Sequence, residues 1–310
     1  MSACIRKAVI PMAGLSTRHF PASHAVKKEL FPVVGADGIA RALFHHQLIE
    51  LDRAGIEEVC LVVRPGEDDL VRDYLHGPST ELLRRLERYP LLLREAEQMR
   101  HFADRVVFAV QREQLGYGHA VYQTKQFAGG EPVLLAPGDH LFRGARTSPF
   151  AELANMSAVS DGLSVSAVNR LDAEQLGSYG IIAGRRRRDD PRLIEVSLII
   201  EKPDVSVARE KLLVDDLPPA TWLGWFGIHL LAPSIYDVLE ELIRDDLRDH
   251  GEFQLTRAQE LQRQREGYLA LEMISNERFD FGVPDEFVRS LQAFRGQSSP
   301  PGDPAGARSS

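Results

Sequence analysis

Two cations ten residues apart, Arg18 and Lys28, sit in "AGLSTRHFPASHAVKKELFP", directly after the apolar run "AVIPM". Ahead of them, Ala13, Gly14, Leu15, Ser16 and Thr17 form a short loop rich in small side chains. Closely spaced backbone N–H groups, one hydroxyl and one guanidinium suit phosphate oxygens, because main-chain donors approach closely only where side chains are small. Taken alone, "AGLSTR" reads as an ordinary strand-to-helix turn, since neither G-x-x-x-x-G-K-[ST] nor a complete G-x-G-x-x-G is present. The continuation shifts the balance. Pro21 and Pro32 bound a long loop that delivers a second cation, and long ordered loops in compact domains are more often functional than decorative. Lys27 competes with Lys28 for that role, and one of the pair is expected simply to face solvent. Ser16 stands where a further glycine is expected. At negative φ it is harmless; at positive φ it costs about 1 to 3 kcal/mol of strain.

The elements that position this loop read as alternating strands and helices. "KAVIP", "EEVCLVV", "RVVFAV" and "EPVLLA" are strand-like, while "IARALFHHQLIELDRAG" and "HAVYQTKQFAGG" have helical spacing and end at glycine. "TELLRRLERYPLLLREAEQMRHFADR" reads as a helical excursion broken by Pro90. Beyond residue 160, "GLSVSAV", "YGIIAG", "LIEVSLIIEK" and "TWLGWFGIHLL" predict a more mixed sheet, followed by helices to about residue 295. The Arg185–Arg188 run, followed by two aspartates, reads as a solvated hairpin turn. Residues 296–310, rich in Pro, Gly and Ser, are expected to be a disordered tail.

Composition bounds the function. The 310 residues carry 45 acidic against 37 basic side chains, a net charge of -8, so nucleic acid is not the expected partner. Cys4 and Cys60 lack metal-type spacing and are expected to be reduced and incidental. No apolar run approaches the roughly 18 residues of a membrane span, so a cytoplasmic protein without a membrane partner is the expectation.

"IPMAGLSTRHFPASHAVKKELFPVV" resembles the N-terminal motif of the sugar nucleotidyltransferases, above all the bacterial UTP:glucose-1-phosphate uridylyltransferases, which reads A-A-G-x-G-T-R-x-x-P-A-T-K-x-x-P-K-E-x-x-P. Five further matches follow in order, from about residue 6 to 294 in all. "VQREQLGYGHAVYQTK" is similar to the segment in which Gln111 and the Gly116 backbone would read the uracil edge. A side-chain amide offers the donor and acceptor such a base needs; on its own, Gln111 reads as a surface residue at a strand end. "LLAPGDHLF" is similar to the strand end that carries the family's metal-binding aspartate, here Asp139, flanked by Gly138 and His140 where the uridylyltransferases usually show a second acidic residue. "SYGII" and "IIEKP" resemble the sugar-binding segments. They imply that the Gly180 backbone, Glu201, Lys202, Gly227 from "WFGIHLL", and His140 lie near the sugar phosphate. "HGEFQLTRAQELQRQREGYLALEMISNERFDFG" resembles G-E-x-Q-L-T-D-A-I with a later Y-D-I-G, which makes Asp280 the second metal-ligand aspartate.

The resemblance implies a Rossmann-like three-layer α/β/α nucleotidyltransferase fold with a mixed, mostly parallel central sheet. It implies one domain over 1–295, with a nucleotide-binding half to about residue 145 and a sugar-binding half from 146. The implied reaction is Mg²⁺-dependent transfer of a uridylyl group from UTP to glucose 1-phosphate, giving UDP-glucose and pyrophosphate. Arg18 and Lys28 would neutralise the phosphates, Asp139 and Asp280 would hold Mg²⁺, and a homo-oligomer, dimer or tetramer, is expected. Two alternatives stay open: a relative using dTTP or another sugar 1-phosphate, and a catalytically quiet binder of nucleotide sugars. Ser16, His24, Gly138, Ile228 and Arg257 are the departures from the family pattern that keep the quiet binder open. An NAD-dependent dehydrogenase would need a complete glycine fingerprint and an acidic residue closing the first βαβ unit, which "EEVCLVVRPGED" does not supply.

Overall fold

The computed structural model describes residues 5–296. Cys4, and the expected tail from residue 297 onward, lie outside the described residues. The first-half strands are β1 (Lys7–Pro11), β2 (Pro32–Val34), β3 (Ala40–Ala42), β4 (Glu58–Val63), β5 (Val106–Val110), β6 (Val133–Leu135) and β7 (His140–Gly144). The second half adds β8 (Val165–Leu171), β9 (Gly180–Arg186), β10 (Leu193–Glu201), β11 (Trp222–Leu231), β12 (Leu269–Glu272) and β13 (Asn276–Asp280).

Nine of these strands form one mixed sheet in the order β5-β4-β1-β6-β11-β8-β12-β10-β9. Strands β5, β4, β1 and β6 run parallel, as their short apolar runs and the long excursions between them require. From β11 onward the pairing turns antiparallel, apart from β8 with β12. The expected mostly parallel sheet is therefore corrected to a mixed one, parallel through its first half and, in the second, only between β8 and β12. The ten-residue β11 also pairs with β9, so β11, β8, β12, β10 and β9 close into a small barrel.

Alternation along β1 sets the two faces of the parallel part. Ala8 and Ile10 enter a core shared with Phe44 and Leu48 of the helix Leu43–Arg53, and with Phe150 of Pro149–Asn155. Val9 points the other way, into a core with Val121 of Tyr117–Tyr122, Leu239 of Ser234–Arg244 and Ala258 of Leu255–Glu266. Burying both faces of a strand is what makes its sequence a continuous apolar run.

Some local expectations change. The stretch "IARALFHHQLIELDRAG" begins as β3 and turns helical only at Leu43. The excursion is two helices, Thr80–Leu86 and Pro90–Ala103, with Pro90 starting the second rather than interrupting one, since a first-turn proline forfeits no helical hydrogen bond. Of the arginine run, Arg185 and Arg186 extend β9. Arg186 is not solvated: it and Arg170 each stand 2.6 Å from the buried carboxylate of Glu272 on β12. Only Arg187 onward is a turn, with Arg187 on Asp189.

Candidate active site

The parallel strands end on one side of the sheet, and the loops leaving their carboxyl ends surround a cleft of about 550 Å³. Residues 13–18 arrive from β1, Gln111 from β5 and Asp139 from β6, where α/β sheets collect ligands. Lys28 and Gly116 complete that wall. Ala13 to Arg18, Lys28, Gln111, Gly116 and Asp139, dispersed over 127 positions from 13 to 139, thus face one space.

Two adjacent lysines hold the opening loop. Lys27 is 7% exposed, and its ammonium donates to the Met12 carbonyl and, at 2.7 Å, to Glu67 Oε2. Glu67 in turn accepts from the Arg64 backbone and guanidinium. The loop is thereby stapled across the ends of β1 and β4. Lys28 extends into the cleft and donates to Asp139 Oδ2 at 2.7 Å. The expectation that one of the two faces solvent is wrong: a loop crossing the sheet end buries both, and each needs a carboxylate. Burial pulls the Lys28 ammonium down, but Asp139 and Glu29 more than offset this, and its pKa is raised. Burial likewise opposes charge on Asp139, yet His140 and Lys28 outweigh it and hold that carboxyl well below the usual range. Between the two lysines, Glu29 is 1% exposed, with Oε2 making no hydrogen bond. Its burial outweighs Lys27 and Lys28, and its pKa is pushed up to about 7.

The ribbon of β7 and β13 brings the second aspartate in. Its register sets Asp280 opposite His140, and Phe281 donates to the Asp139 carbonyl at 2.8 Å. His140, expected among the sugar-phosphate contacts, bridges the two aspartates: Nδ1 is 2.8 Å from Asp139 Oδ1 and Nε2 3.7 Å from Asp280 Oδ2. Gly282 keeps the space between the carboxylates open. A Cβ there would stand 2.5 Å from Asp139 Oδ2 and 3.1 Å from Asp280 Oδ1. The donors fit a hard divalent ion that takes two carboxylates and completes its shell from phosphate and water. No cluster of three or more such ligands occurs among the described residues.

Ser16 lies at φ 53°, in the left-handed region that favours glycine. The strained alternative is the one realised. Gly138 also has a steric reason: a Cβ there would meet the Pro11 carbonyl at 2.7 Å. Ile228, where the family pattern has arginine, is fully buried in the core. Gln111 is 3% exposed rather than a surface residue; its amide donates to the Gly116 carbonyl at 3.2 Å and contacts His119 Nδ1 at 3.0 Å.

Glu201 and Lys202 face a second cleft of about 800 Å³, open toward the segment 249–261. Thr256 Oγ1 donates to Glu201 Oε2 at 2.7 Å, and Lys202 stands 3.9 Å from Glu201 Oε1. Lys202 is exposed and, like Ser16, has positive φ, at 46°. Gly180 and Gly227 line neither cleft; Gly180 lies beneath Trp225, and Gly227 turns β11 at φ 112° beside Pro137 and Phe142. Arg257 pairs with Asp249 on the lip of the second cleft.

Three contributors were not singled out from sequence. Glu252 lines both clefts, and its signal was its place in the quoted "GEFQLT". Glu67 pairs with Lys27 across 40 residues, and His19 anchors the loop by its contact to the Phe281 carbonyl at 2.9 Å. Neither carries a local signature.

A loop of small residues at strand ends, paired cations and two converging aspartates make a site whose chemistry suits phosphoryl groups, and residues 7–294 match the family model described as nucleotidyl transferase. The chain belongs to that family. Within it, the chain is 30% identical to a UTP–glucose-1-phosphate uridylyltransferase of Komagataeibacter xylinus, with 82% of this chain and 81% of the relative covered. It is 28% identical to UTP–glucose-1-phosphate uridylyltransferase 1 of Staphylococcus saprophyticus, over 94% and 92%. Among solved structures it is similar to a UTP-bound UGPase from Acinetobacter baumannii, at TM-score 0.74 and 26% identity, over 93% of this chain and 92% of that one.

Proposed function

We propose that the protein transfers a uridylyl group from UTP to glucose 1-phosphate, releasing pyrophosphate and UDP-glucose. The observation that carries this reading is the single cleft in which Arg18, Lys28, Gln111 and Asp139 meet at the ends of the parallel strands. The uridylyltransferase names of the relatives support the choice of substrates.

A phosphate oxygen of the sugar 1-phosphate attacks the α-phosphorus of UTP; the bond from that phosphorus to the bridging oxygen breaks, and pyrophosphate leaves. Such a displacement needs positioning and charge neutralisation more than covalent help from the protein. Loop 13–17 presents backbone donors to the phosphates, while Arg18 and Lys28 oppose the charge that builds on them. The Gln111 amide and Gly116 backbone meet the uracil edge. Asp139 and Asp280 would hold Mg²⁺, which would supply Lewis-acid charge there. On the acceptor side, Glu201 receives sugar hydroxyls and Lys202 faces the sugar phosphate. We take His140 to orient the two aspartates.

We read residues 1–145 as a Rossmann-like three-layer nucleotide half and 146–295 as the sugar half of one domain, in a cytoplasmic enzyme working as a dimer or tetramer. No described helix is long and apolar enough to cross a membrane. Pyrophosphate release, measured for four nucleoside triphosphates against several sugar 1-phosphates with Mg²⁺, tests the substrate assignment. UTP with glucose 1-phosphate is expected to give the highest kcat/KM. A higher value for another pair reassigns the substrates, and no release from any pair contradicts an enzyme of this type.

A further inference from the structure

Asp139 stands in a turn, residues 137–140, that joins β6 to β7. The turn closes weakly on itself. Its own bond, from the His140 N–H to the Pro137 carbonyl, is 3.4 Å long, beyond the usual span of an N–H to oxygen contact. Gly138, inside it, brings no side chain to pack, and a Cβ there would meet the Pro11 carbonyl at 2.7 Å.

Closure comes instead from Gln47, 90 residues upstream of Pro137 on the helix Leu43–Arg53. Its amide nitrogen donates to the Pro137 carbonyl at 2.7 Å and to the His140 carbonyl at 2.6 Å, one hydrogen to each. Those carbonyls bracket Asp139. The side chain is 1% exposed, and its Oε1 is buried without a hydrogen-bond partner. An orphaned buried acceptor is unfavourable, and methionine would fill the same space without one, so the contribution of the amide is its two donors. The remaining carbonyl of the turn, that of Asp139, accepts from the Phe281 N–H at 2.8 Å. The turn is thus clamped from the helix on one side and from the end of β13 on the other. His140, whose carbonyl Gln47 holds, is also the residue whose ring reaches both aspartates, at 2.8 and 3.7 Å.

We propose that Gln47 is a positioning residue for the metal: by holding the Pro137 and His140 carbonyls it fixes the Asp139 turn at the spacing at which Asp139 and Asp280 share one divalent ion. This rests on the assignment of the two aspartates to Mg²⁺. Groups that orient a metal ligand without touching the metal govern its affinity nearly as the ligands do.

Mn²⁺ binding to the purified protein without nucleotide, read by electron paramagnetic resonance, is the test. Gln47→Met keeps the length of the side chain and removes both donors. It is expected to weaken Mn²⁺ affinity about 10- to 100-fold. Pyrophosphate release lost at limiting Mg²⁺ should return at saturating Mg²⁺, with KM for glucose 1-phosphate unchanged. Ile49→Val, two residues on in the same helix and 8% exposed in the wild type, is the control for a loosened core: it should lower the melting midpoint and leave Mn²⁺ affinity alone. Wild-type Mn²⁺ affinity in Gln47→Met overturns the inference and leaves the proposed function standing, as does an activity loss that saturating Mg²⁺ does not recover, or equal weakening by Ile49→Val. A wild type that turns over yet binds no Mn²⁺ removes the metal assignment with it, and one that does neither removes the proposed function as well. Should Gln47→Met fail to fold, Gln47→Asn, one methylene short of the two carbonyls, is read in the same way.

Discussion

The two clefts present their lysines in opposite ways. Lys28, in the cleft at the parallel strand ends, has a side chain 13% exposed and pinned at 2.7 Å to Asp139, with Lys27 fixed behind it at 2.7 Å from Glu67. Lys202, in the second cleft, is 58% exposed and 3.9 Å from the Glu201 carboxylate. The difference follows from the sheet. Parallel strands buried on both faces deliver their loops into one crowded rim, whereas Lys202 follows β10 where the barrel opens to solvent. Charge in the first cleft is preorganised; in the second it is supplied by a side chain still free to reorient. Catalytic neutralisation profits from the first arrangement, since fixed charges need no reorganisation as the reaction proceeds.

Removing the staple tests that contrast most severely. Lys27→Ala removes one of the two cations on Glu67 and leaves Arg64 as its partner, and is expected to lower unfolding free energy by about 1 to 3 kcal/mol in urea melts. A loss below about 1 kcal/mol would mean the loop is not held this way. Glu29 gives the rim a pH signature. Its folded pKa, about 7, lies above that of the unfolded chain, so the folded state keeps a proton that the unfolded chain gives up. Stability therefore falls as pH rises from about 4.5 to 7, by up to about 3 kcal/mol. Urea midpoints for Glu29→Gln should show a flatter slope over that window; an unchanged slope would place the titration elsewhere.

Gly282→Ala intrudes on both aspartates. Mn²⁺ affinity measured by electron paramagnetic resonance is expected to weaken about 10- to 100-fold, the range seen when groups supporting a metal ligand are disturbed. Lys202→Ala addresses the open cleft. It should raise KM for the sugar 1-phosphate about tenfold with kcat nearly unchanged, a single charge-assisted contact discounted for exposure. A fall in kcat instead would make the two clefts alike. Ser16→Gly, the smallest change, should relieve strain at φ 53° and raise the melting midpoint by a few degrees, equivalent to about 1 kcal/mol.

How much of this could be read beforehand depended on range in sequence. The opening loop, Gln111, Asp139 and Asp280 stand in short motifs, and all but Asp280 line one cleft. The buried Lys27 was not legible, because its partner lies 40 residues away in a turn without a signature of its own. Nor was the barrel: closure needs β9 to pair with β11 across a long connection, and β12, only four residues long, is hidden by the helix before it. The phase of Ser16 was open for a different reason. Serine tolerates both signs of φ at modest cost, so only the folded loop decides it.

Pyrophosphate release from UTP and glucose 1-phosphate with Mg²⁺, by wild type, Lys28→Ala and Asp139→Ala, tests the account most directly. The wild type is expected to turn over, and each variant to lose on the order of a hundredfold or more in kcat while still folding. Wild-type rates in both variants would contradict it.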